Sequence, residues 1–121
     1  MDPETVGNEC HWAPPPLLRD LETGASGFVA EMIADFTTDT AARLQRLRRA
    51  AANADSSRVR AEAHAIKGSA REMGADAIAR LCLEIEQKAP GPDASNIQDR
   101  IVELEARFGE ISRAMARYSS Q

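Results

Sequence analysis

From Ile97 to Tyr118 the apolar residues Ile97, Ile101, Leu104, Phe108, Ile111, Met115 and Tyr118 recur at alternating steps of four and three. Only an α-helix puts positions so spaced on one face. A helix with one apolar stripe must bury that stripe against other elements. The rest of the chain offers matching stripes. Phe28, Met32, Ile33, Phe36, Leu44, Leu47 and Ala51 keep a broad helical face to about Asn53. Val59, Ala63, Ile66, Ala70 and Met73 follow at steps of four, three, four and three. Ile78, Leu81, Cys82, Ile85 and Ala89 make a fourth face.

Punctuation separates the stripes. Asp55-Ser56-Ser57 supplies N-cap candidates for the helix that Gly74 ends, and Asp76 is a candidate cap for the next. Pro90-Gly91-Pro92 forbids continuation, so the last helix starts near Asp93 or Ser95. Ser26 or Gly27 opens the first long helix. Before it, Leu17, Leu18 and Leu21 suggest a short helix stopped near Gly24. Residues 1–16 hold four of the six prolines and no apolar period, which reads as a non-helical tail.

The expectation is an all-α fold over residues 17–121: an antiparallel up-and-down four-helix bundle with a short extra N-terminal helix. Composition agrees, with 43% hydrophobic and 28% charged residues and only 4% aromatic. At 121 residues the chain is one domain, since two halves would each have too small a core. No apolar run approaches the ~20 residues of a membrane span.

Chemistry concentrates at His64. At about 100° per residue it points about 140° from the centre of the stripe formed by Val59, Ala63, Ile66, Ala70 and Met73, so it should face water. Gly68 follows one turn later, in a helix interior where glycine costs roughly 1 kcal/mol relative to alanine. That glycine clears space beside the imidazole. Lys67 and Arg71 place cations where they can lean toward an anion on the ring, and Arg60 and Ala61 are neighbours on the same outer face. Lys67 is expected on the solvent face. A neutral imidazole nitrogen is a nucleophile, and phosphoryl transfer needs positioning and charge stabilisation more than covalent machinery.

The run His64-Ala65-Ile66-Lys67-Gly68-Ser69-Ala70, followed by Met73-Gly74-Ala75, resembles the signature of histidine-containing phosphotransfer (HPt) domains. Ala63 and the stretch Leu81-Cys82-Leu83-Glu84-Ile85-Glu86 are also similar to the family, and the resemblance extends from about Leu17 to Arg117. It implies a phosphorelay intermediate with no catalytic activity and no cofactor of its own. The phosphorylated histidine corresponds to His64, the phosphate-contacting lysine to Lys67 and the clearance glycine to Gly68. Arg60, Ala61 and Arg71 then complete the docking face. The implied partner is a response-regulator receiver domain, which brings its own Mg²⁺ and acidic pocket, with a hybrid sensor histidine kinase as a further candidate. A cytoplasmic monomer is expected, either free-standing or as the cytoplasmic part of a membrane-bound kinase.

Other classes fit less well. The middle of the chain is rich in arginine, yet the net charge of −4 and the scarcity of aromatic platforms argue against nucleic acid. Cys10 and His11 are too few to hold a metal, and Cys82 lies on an inner stripe. A histidine-kinase dimerisation domain normally has an acid after its histidine, where Ala65 stands here. The remaining alternative is a docking module that binds a signalling partner through the same face without phosphorylation.

Overall fold

The computed structural model describes residues 10–22, 27–89 and 94–120. Among these residues every regular element is an α-helix: α1 (Pro16–Glu22), α2 (Phe28–Ala52), α3 (Ser56–Glu72), α4 (Asp76–Lys88) and α5 (Ala94–Ser119). Consecutive helices pack on one another, α5 closes back onto α2, and α1 lies against α2. This is the expected up-and-down four-helix bundle with a short extra helix. The candidate stop at Gly24, Ser26, the Pro90-Gly91-Pro92 break and Asp93 lie outside the described residues.

The helix ends show why the elements fall where they do. Pro16 is the first residue of α1, where a missing N–H costs nothing, and Pro15 O accepts the first helical bond from Arg19 N at 3.1 Å. Asp55 caps α3, its carboxylate accepting from Arg58 N at 3.1 Å. At the other end Gly74, at φ 71°, lets Ala75 N reach Ala70 O at 2.8 Å and Gly74 N reach Arg71 O at 3.2 Å. These are the two bonds of a Schellman motif. Ala75 is thereby used twice, since it is also the residue before the first turn of α4. Asp76 is therefore not the cap: it sits inside the first turn, where its charge complements the helix dipole. The turn from α2 to α3 has the same form, with Ala54 at φ 54° in the place that glycine usually fills.

The core is built from the expected stripes of α3, α4 and α5. Leu47, Ile66, Cys82, Ile85, Leu104 and Met115 are fully buried. On α2 the buried line is Val29, Ile33, Phe36, Thr40, Leu44, Leu47 and Ala50. Phe28, Met32 and Ala51 are instead half-buried at its flank, because the closer-fitting helical line passes through Val29, Thr40 and Ala50. Phe36 meets Phe108 edge-on across the bundle, with centroids 6.3 Å apart.

Residues 10–15 are non-helical but are laid on the bundle. The Trp12 indole donates to Met73 O at 2.7 Å and meets the Tyr118 ring edge-on at 5.4 Å. Pro14 is buried, and Arg117 donates to Cys10 O at 2.8 Å. This strap ties the start of the described chain to the ends of α3 and α5.

Candidate functional site

His64 stands on the outer face of α3 with 72% of its side chain exposed. The direction follows from the stripe on the other side of the helix: Ala63, Ile66 and Ala70 are fully buried and turn position 64 outward. Arg60, Ala61, Gly68 and Arg71 are exposed on the same face. A Cβ built on Gly68 would meet nothing within 4 Å, so the space beside the ring is open.

Two features of the site were not legible in the sequence. The first is Glu86 of α4. Its Oε2 lies 3.1 Å from His64 Nδ1, and its Oε1, sealed from solvent, faces the Lys67 ammonium at 2.6 Å. One carboxylate therefore engages both the imidazole and the lysine. Burial pushes the Glu86 carboxyl up, but hydrogen bonds from Lys67 and His64 outweigh it and hold the group below its ordinary value of 4.5.

The second is the position of Lys67, which corrects the expectation of a solvent-facing side chain. The residue is 9% exposed. Position 67 is only about 80° from the stripe centre on a wheel of ~3.6 residues per turn, so its stem borders the core. Its ammonium turns to the anion that α4 supplies, as long basic side chains do when the stem is covered.

Cys82, one turn before Glu86, is fully buried. Desolvation first, then the Glu86 charge, pushes its thiol up to about 12, so it is a protonated core residue and no nucleophile. Among the described residues no group of three or more His, Cys, Asp or Glu is placed to hold a metal ion, and no helix is long and apolar enough to cross a membrane.

A depression of about 660 Å³ lies elsewhere, between the strap, α4 and α5, where Trp12, Ile78, Leu81, Arg100 and Glu103 line it. His64 is thus a projecting group and not the floor of a pocket.

The site is thus an exposed histidine on the face of a helix bundle, in contact with one carboxylate and with open space at the glycine one turn on. The Hpt domain family model matches residues 31–118, and the chain belongs to that family: it is a histidine phosphotransfer module of two-component phosphorelays, a carrier and not a catalyst. Among solved structures it is similar to histidine-containing phosphotransfer protein B from Pseudomonas aeruginosa PAO1. The TM-score is 0.77, with 24% identity over 89% of this chain and 93% of that one, a likeness of fold. No curated protein matches the chain.

Proposed function

We propose that the phosphoryl group is carried on Nε2 of His64 and is exchanged with the aspartate of a response-regulator receiver domain. The observation that supports this reading is the contact of Nδ1 with Glu86 on an otherwise exposed ring. A carboxylate can only accept, so Nδ1 carries a proton, and in the neutral ring the lone pair is then on Nε2, toward solvent.

In the transfer the Nε2 lone pair attacks the phosphorus of the acyl phosphate. The N–P bond forms, the P–O bond to the aspartate breaks, and the aspartate carboxylate leaves with the electron pair. The ring becomes cationic with its proton still on Nδ1, and Glu86 stabilises that charge. The reverse reaction retraces the same path. Lys67 leaves Glu86 to meet the phosphoryl oxygens, while Gly68 and Ala61 leave room for the receiver. Arg60 and Arg71, exposed and without an ion pair among the described residues, complement its acidic pocket, whose Mg²⁺ belongs to the receiver.

The test is to mix the protein with phosphorylated receiver domains and Mg²⁺ and follow the label by ³¹P NMR. Phosphate should appear on this chain as an Nε2-linked phosphoimidazole. A receiver that binds this face without ever transferring its label would overturn the reading in favour of docking alone.

A further inference from the structure

A second buried carboxylate lies on the flank of α3 away from Glu86. Glu62 is 4% exposed. Arg43 Nη1 reaches its Oε1 at 3.0 Å, Arg46 Nε reaches its Oε2 at 3.0 Å, and Arg58 Nη1 lies 4.0 Å from Oε2. Asp39 holds Arg43 in turn, at 3.0 Å. The network joins Asp39, Arg43 and Arg46 of α2 to Arg58 and Glu62 of α3, and none of these residues belongs to the face around His64.

The apolar contacts leave a gap that this network fills. The fully or nearly buried stripe of α3 is Val59, Ala63, Ile66 and Ala70. Two of the four are alanine, whose methyl groups make shallow ridges, so the apolar packing resists a rotation of α3 only weakly. A buried carboxylate that loses its partners is penalised far more heavily than a shifted methyl group. Glu62 lies about 60° from the stripe centre on one side and Lys67 about 80° on the other. Before a phosphoryl group draws Lys67 away, the Glu62–arginine pairs toward α2 and the Lys67–Glu86 pair toward α4 therefore oppose rotation in both senses, and during transfer the Glu62 pairs remain.

His64 turns with the same helix. A rotation of about 20° moves a side chain at the ~5–6 Å outer radius by about 2 Å. Misplacement by about 1 Å is enough to slow a positioned reaction strongly.

We infer that Glu62 is a positioning residue: clamped by Arg43 and Arg46, it fixes the rotation of α3 so that His64 meets Glu86 on one side and the incoming phosphoryl donor on the other. This rests on the reading of His64 as the carrier.

The test replaces Glu62 by methionine, of similar volume, because Arg43 and Arg46 are partly exposed and can turn to water. Glu62→Met should melt no lower than the wild type. Its transfer should nevertheless slow by about tenfold or more, and the His64 ¹⁵N signals should move away from the Nδ1–H tautomer. Wild-type transfer and wild-type ¹⁵N signals in a folded Glu62→Met would overturn the role. If that variant does not fold, Glu62→Gln, which keeps an acceptor for one arginine, is read by the same two measurements with the same meaning. A wild type that takes no phosphate would sink the carrier reading alone, because the ¹⁵N comparison still decides whether Glu62 sets the ring.

Discussion

His64 and Glu86 are 22 residues apart in the chain, yet Nδ1 of one lies 3.1 Å from Oε2 of the other. The α3–α4 turn at Gly74 folds the two helices into register, and one carboxylate then orients the imidazole while anchoring Lys67. The consequences can be measured.

Glu86 should make stability depend on acid. Its folded-state pKa is depressed, so the carboxylate contributes stability that is complete above its unfolded value and is lost as the pH falls through the folded one. Relative to Glu86→Gln, the wild type should lose its advantage as the pH drops below about 4.5. Urea denaturation of both proteins from neutral to acid pH checks this. A stability difference that stays constant with pH would show that the carboxylate is not held in its charged form.

Lys67→Ala should cost both stability and transfer. The side chains of Lys67 and Glu86 are 11% and 18% exposed, and removing the ammonium leaves a buried carboxylate oxygen without its partner. The expected loss is about 1–3 kcal/mol, above the roughly ±0.5 kcal/mol of an ordinary surface change. Denaturant midpoints report the first effect and receiver-to-histidine label transfer the second. Stability within the surface range would mean that the ion pair contributes nothing.

At Gly68 stability and function should part. The position lies inside α3 with open space around it, so Gly68→Ala should raise stability by roughly 0.4–1 kcal/mol. Gly68→Gln should remain as stable as the wild type but bind and transfer poorly, because its side chain stands where a receiver approaches. A collapse in melting temperature would instead make Gly68 a packing residue.

Thr40 is fully buried on α2, and its Oγ1 has no hydrogen-bond partner among the described residues. Thr40→Val keeps the shape and removes the unsatisfied hydroxyl, so it should raise stability by about 1 kcal/mol. The melting temperature should rise with transfer unchanged. A loss of stability would mean that the hydroxyl has a partner such as a buried water.

The exposure of His64 was readable because it depends on one helix alone: the stripe of Ala63, Ile66 and Ala70 fixes which way position 64 points. The burial of Lys67 was not, since it depends on α4 standing beside α3 and presenting Glu86. Glu86 itself sits in a stretch that the family resemblance covered, but its role needs a contact between helices that no periodicity within one helix records. The same holds for Glu62. Asp76 looked like a cap by residue type, and lost that place because the Schellman turn commits Ala75. Trp12 was hidden in a segment whose prolines spoke only against helix. Its indole was the sign of docking, since a tryptophan in a short polar stretch has apolar surface to cover.

The most direct measurement is phosphate uptake by His64→Gln from a phosphorylated receiver that labels the wild type. The substitution removes an exposed side chain, so the variant should fold normally, and it should take up no label. Acid-labile phosphate appearing on folded His64→Gln at the wild-type rate would contradict the assignment of His64 as the carrier.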